Sequence, residues 1–101
     1  MKEVLIKKKK TLESAIDRFN EYKKFVDHYN STKSLDMYVE FIGRASNTFS
    51  EGLSEHYDNL IRLYQNGNEK PLLSNLYDRL LAADEYKNKI ADELTNLLKE
   101  L

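Results

Sequence analysis

LSNLYDRLLAADEYKNKIADELTNLLKEL, residues 73–101, carries the pattern on which the fold turns. Leu73, Leu76, Leu80, Ala83, Lys87, Ile90, Leu94, Leu97 and Leu101 follow one another in alternating steps of three and four. Those steps bring successive side chains back to one face of an α-helix, where 3.6 residues make a turn. Six of the nine are leucine, and fully burying a leucine contributes about 1.5–3 kcal/mol. Such a stripe needs a second apolar surface to cover it. Pro71, just upstream, suits a first helical turn because its missing N–H is not needed there.

The same spacing returns at the start of the chain. Leu5, Lys8, Leu12, Ala15, Phe19, Tyr22, Val26 and Tyr29 form an a/d heptad stripe, with Lys8 its one polar member. Ile16 and Phe25 widen it, which predicts more than one packing neighbour. The polar run Asn30-Ser31-Thr32-Lys33-Ser34 reads as a loop that ends this first helix, with Ser34 placed to cap the next. Asn30-Ser31-Thr32 also matches a glycosylation acceptor, but no secretory signal accompanies it and the loop reading is kept.

Between these two segments, residues 35–65 carry a third stripe: Tyr38, Ile42, Ala45, Phe49, Leu53, Tyr57, Leu60 and Tyr64. Gly43 and Gly52 fall inside it, each costing about 1 kcal/mol relative to Ala in a helix interior. Ser46, Asn47 and Thr48 are cap-type residues, and Thr48 with Glu51 fits a capping box. A break or kink is therefore expected between Gly43 and Thr48, leaving open whether 35–65 is one kinked helix or two. Gly67, in Asn66-Gly67-Asn68, is the natural left-handed stop for this segment.

Taken together, residues 1–101 predict one all-α domain. Each segment is about 40 Å long at 1.5 Å per residue. The expected architecture is an elongated three-helix bundle, or a long helical hairpin whose remaining stripe is covered by a second chain, with coiled-coil-like packing. Charged residues are 33% of the sequence, with three Gly and one Pro, which suits helices and not a sandwich of short strands.

Composition also narrows function. Net charge is -1, without the basic excess of a nucleic-acid binder. It is uneven: residues 1–33 hold nine Lys/Arg against five acids, and residues 34–101 hold seven against twelve. There is no cysteine, hence no disulfide or thiolate chemistry. The early apolar run Val4-Leu5-Ile6 is too short for a signal-peptide core, and no run approaches a membrane span. A cytoplasmic protein is expected, with export alongside a partner left open.

Residues that could carry chemistry read more simply as structure. Lys7 to Lys10 could meet phosphate or anionic lipid, yet four consecutive residues point all round a helix, and Lys8 can snorkel out of the seam. Bundle metal sites pair Glu with a His three residues on, but Phe25 precedes His28 and Leu53 precedes His56. Glu51, Glu55 and Asp58 read as a wetted acidic strip, with Arg62 answering Asp58 at four residues. Lys87 interrupts the stripe over residues 73–101, either fixing register or sitting where the bundle is open. No catalytic, metal or cofactor-binding residue is assigned, and no enzyme is expected. Tyr22, Tyr29, Tyr57 and Tyr64 read either as core edge or as a protein-binding face.

Phe41-Ile42-Gly43-Arg44-Ala45-Ser46-Asn47-Thr48-Phe49 resembles the centre of the small WXG100 proteins of type VII secretion. In that family an aromatic, any residue and a glycine join two long helices, so Phe41 would stand for the tryptophan and Gly43 would be the turn glycine. Leu81 follows Tyr77 by four residues and Ile90 follows Tyr86, where exported members carry an acid. The resemblance therefore implies an accessory partner, similar to the small helical proteins that accompany LXG-type toxins. With Tyr57 and Tyr64 from the tyrosine face and Leu80, Leu94 and Leu97 from the leucine stripe, it makes Phe41, Gly43 and Phe49 the remaining turn or partner-binding candidates. The expected function is a small partner or chaperone that sheathes apolar helices of a secreted toxin. The alternative is a cytoplasmic regulator, inhibitor or bacteriocin immunity protein, of phage or plasmid type, that docks a host protein.

Overall fold

The computed structural model describes residues 2–45 and 51–100. Among them are four α-helices and no strand: α1 (Lys2–Thr32), α2 (Asp36–Ala45), α3 (Glu51–Gln65) and α4 (Lys70–Lys99). The fold is all-α. The third stripe is divided between α2 and α3, which makes four helices of the three expected segments. The Thr48 end of the capping box, and Phe49, lie outside the described residues.

Helix ends follow local chemistry. The polar run at 30–34 is not a loop throughout, because α1 continues to Thr32 and takes Asn30, Ser31 and Thr32 with it. Thr32 holds that last turn by donating its hydroxyl to the His28 carbonyl at 2.8 Å. Lys33 then stops the helix, with φ +60° and its N–H on the Tyr29 carbonyl at 2.6 Å. Ser34 Oγ accepts the Asp36 N–H at 3.2 Å, so it does serve the start of α2. At the far end of α3, Gly67 takes φ +92°, its N–H bonding the Tyr64 carbonyl and that of Asn68 the Leu63 carbonyl. These two bonds are a Schellman stop. Gly43 behaves differently. It lies within α2, and a Cβ there would meet nothing within 4 Å. It is therefore helical, not the turn glycine that the resemblance implies.

Internal packing divides the chain into two compact units, Met1–Lys23 with Arg79–Leu101, and Lys24–Asp78. The larger unit holds most of the dry core: Leu35, Tyr38, Ile42, Tyr57, Leu72 and Leu76 are each at most 2% exposed. Phe25 stands between Tyr38 and Phe41, with ring centroids 5.5 and 5.1 Å away. Such tilted aromatic pairs add to the area they bury. Tyr38 donates its hydroxyl to Asn75 Oδ1 of α4. Tyr64, near the end of α3, accepts the Leu35 N–H at 3.2 Å and donates to Asp36 Oδ1 at 3.1 Å. A straight helix over 36–64 would hold those two residues about 40 Å apart. Instead α2 and α3 are antiparallel neighbours.

In the other unit α1 and α4 run antiparallel. Ala15, Ala83 and Ile90 are buried, while Leu5, Leu12, Phe19, Leu80, Leu94 and Leu97 are half-buried. The seam therefore exists, but two helices alone cover only part of each apolar side chain.

Candidate interaction surface

Both lysines that interrupt the stripes are answered across the helix pair. Lys8 Nζ lies 2.7 Å from Glu93 Oε2. It does not simply snorkel into water. Lys87 Nζ stands 4.1 Å above the centre of the Phe19 ring and 3.2 Å from Asp84 Oδ1. A cation over an aromatic face is attracted by the ring quadrupole, so the seam is closed at Lys87, not open. Glu93 has its carboxyl held below the ordinary value, first by the Lys8 hydrogen bond and then by the charges of Lys8 and Lys89, against the opposing effect of desolvation.

Around this seam, aliphatic side chains face water. Val4 is 48% exposed and Ile6 55%. Ile16, Leu81 and Leu98 are exposed too. Two shallow depressions flank the beginning of α1. One, of about 340 Å³, has Val4 and Leu97 at its floor beside Lys8, Glu93, Asn96 and Glu100. The second, of about 320 Å³, is formed by Ile6 with Glu3, Lys7 and Lys10. Lys7, Lys9 and Lys10 are exposed.

A third, more enclosed cavity of about 120 Å³ lies further along the same helix pair, between Ala15 and Ala83. Arg18, Tyr22, Arg79 and Tyr86 surround it. An adjoining hollow shares Arg18 and Tyr86 and adds Thr11 and Ser14.

The candidates named from sequence are dispersed. Leu80, Leu94 and Leu97 are half-buried along α4. Phe41 packs in the aromatic cluster of the other unit, and Gly43 is exposed on α2. Tyr57 is 1% exposed and is core, so it presents no binding face. Tyr64 is half-buried and engaged in joining α3 to α2. The exposed tyrosines are instead Tyr77 and Tyr86. Tyr29 donates to Glu69 Oε1 at 2.9 Å, and that bond, followed by desolvation and the carboxylate's charge, raises its pKa above the usual tyrosine value.

Neither histidine joins a constellation. His28 is half-buried on α1, and the exposed His56 ring lies 5.6 Å from its neighbour Tyr57. Among the described residues no three His, Cys, Asp or Glu side chains are gathered to hold a metal ion. Arg62 donates to Asn59 Oδ1 at 2.9 Å, replacing the Asp58 partner expected from spacing alone. Among the described residues no helix is long and apolar enough to cross a membrane. Reading the sequence for stripes alone missed Ile6 and Val4 as surface, because a heptad assigns faces without saying how many neighbours will arrive. No protein-family model, curated protein or solved structure matches the chain.

Proposed function

We propose that this is a non-enzymatic binding protein whose α1–α4 pair receives an amphipathic helix from a partner protein. The observation that carries the reading is the start of α1, where Val4 stands exposed beside Leu97 in one depression and Ile6, on a different side of the helix, stands exposed among Glu3, Lys7 and Lys10 in another. Val4 and Leu97 form one apolar spot rimmed by Lys8, Glu93, Asn96 and Glu100, and exposed apolar surface with a polar rim marks interaction sites. Lys7 and Lys10 border Ile6, so a helix docked on that side of α1 carries acids beside its apolar stripe. The sharper form is a small cytoplasmic partner or chaperone sheathing helices of an LXG-like type VII toxin, supported by the Phe41–Phe49 resemblance. The regulator or immunity-protein alternative finds its support in the exposed Tyr77 and Tyr86.

Co-expression with the helical amino terminus of a toxin encoded by a neighbouring gene tests this reading. The expected result is a stable complex that weakens with salt and is lost in Val4→Glu/Ile6→Glu protein of unchanged helicity. An unaltered complex in that variant, or a chain that pairs through Val4 and Ile6 with a second copy of itself instead, overturns it.

A further inference from the structure

We infer that the reverse side of the α1–α4 layer is the face through which two copies of this chain pair, α1 of each lying antiparallel on α4 of the other. The inference is independent of the partner helix proposed above, because Val4 and Ile6 each stand about 100° round α1 from the row concerned. The two sides of the layer differ. The side with the hollows presents Thr11, Ser14 and Arg18 from α1 and Glu93, Asn96 and Glu100 from α4. The reverse side presents Leu5, Leu12 and Ile16 from α1 and Leu80, Ala91 and Leu98 from α4. Leu5, Ile16 and Lys23 return to within about 20° of one line along α1, and Leu80, Ala91 and Leu98 do the same along α4.

Burial in this unit is incomplete. Among the described residues of Met1–Lys23 and Arg79–Leu101, the buried apolar side chains are Ala15, Ala83 and Ile90. Ile16 stays 38% exposed and Leu98 49%, while Leu5, Leu12, Leu80 and Ala91 are half-buried. Domains close by setting one layer on another, and two helices with one apolar side make half of such a structure. Its size suits a copy of itself. About 22 residues of each helix form a layer about 33 Å long and about 20 Å wide, which is on the order of 700 Å² per copy, against about 800 Å² per partner in a standard stable interface.

Charge chooses the pairing. Lys9 and Lys23 flank the α1 row, both exposed and without an ion pair among the described residues. Setting α1 on α1 of the second copy would bring these cations together, which costs affinity. Asp84 flanks the α4 row instead. Phe19 meets Lys87 across the seam, so Lys23, one turn further on, is level with Asp84. A two-fold axis parallel to the helices keeps that level, so α1 on α4 of the second copy faces Lys23 with Asp84, twice by symmetry. Every neighbouring helix is then antiparallel, as in an up-down four-helix bundle. Asp84 also holds Lys87 at 3.2 Å. A polar pair among the apolar rows fixes the level and number of copies at some cost in stability.

Sedimentation equilibrium of the full chain over a concentration series decides the matter. The mass is expected to rise to twice the 11.9 kDa of one chain. Ile16→Lys/Leu98→Lys protein of unchanged helicity is expected to dissociate at least about tenfold more readily. Val4→Glu/Ile6→Glu protein still pairs, so loss of partner capture and loss of self-association are read separately. The chain has no cysteine, so mild oxidation of an equimolar mixture of Lys23→Cys and Asp84→Cys proteins reports the arrangement, the mixed disulfide dimer being the main product. A single-chain mass at every concentration up to about 1 mM, or a dimer untouched by Ile16→Lys/Leu98→Lys, overturns the inference. So does a chain that stays single and covers Ile16 and Leu98 with another protein's helix. Lys23→Cys chains joined to each other more often than to Asp84→Cys chains overturn the setting of α1 on α4.

Discussion

Glu93 and Lys8, 85 positions apart in sequence, form the 2.7 Å bond that ties the beginning of α1 to the end of α4. Lys8 would be a flaw in its heptad stripe if read alone. With Glu93 it becomes a matched pair at the edge of the seam.

That pair has a pH signature. The folded pKa of Glu93 lies below its unfolded value, so the stabilisation is complete above the ordinary carboxylate range, near about 4.3, and disappears as pH falls through the folded value. NMR titration should place the Glu93 midpoint below that of an unperturbed glutamate. Lys8→Met should move it back up, and an unchanged midpoint in that variant would contradict the pairing.

Tyr29 behaves in the opposite sense. Its folded pKa is raised by the hydrogen bond to Glu69, so its contribution is present below about pH 10 and is lost as pH climbs through the folded value. Ring-labelled tyrosine NMR should show Tyr29 ionising above the ordinary tyrosine value, and Glu69→Gln should bring it back towards that value.

Core leucines and seam leucines should separate on denaturation. Leu72 and Leu76 are fully buried, and truncating either to Ala should cost about 2–5 kcal/mol in urea unfolding. Leu81, 58% exposed, should tolerate Ser within about 0.5 kcal/mol. Equal losses at Leu72 and Leu81 would be inconsistent with the core described.

The glycines should answer alanine with opposite signs. Gly67→Ala forces an L side chain into φ +92° and should destabilise by about 1–2 kcal/mol. Gly43→Ala enters open space in a helix and should raise stability by about 0.5 kcal/mol. Thermal unfolding of the two variants measures both.

Tyr64→Phe keeps the ring and removes the hydroxyl that joins α3 to α2. It should cost about 1 kcal/mol in urea unfolding. Faster amide exchange at Leu35 is the local readout, because its N–H loses its acceptor.

The helical class was legible because residues 73–97 and 5–29 repeat at helical spacing whatever they pack on. The Gly67 stop was legible too, since left-handed backbone selects glycine. The α2–α3 pairing was not. One continuous stripe fits a single helix as well as two antiparallel ones, and the phenol of Tyr64 that distinguishes them acts over 28 residues. Leu72 escaped because it stands beside the stripe that begins at Leu73, yet it is fully buried. Its extra neighbours come from tertiary packing, which a one-face pattern does not contain.

The answered lysines also forbid sliding. Moving α4 by one turn would set Lys8 against Lys89 or Leu97 instead of Glu93, and would leave Phe19 opposite Ala83 or Ala91 instead of Lys87. Either slip parts Lys8 from Glu93 and lifts Lys87 off the Phe19 ring, leaving it only Asp84 of its own helix, so the polar interruptions work like keyed teeth that favour one alignment of otherwise interchangeable leucine rows.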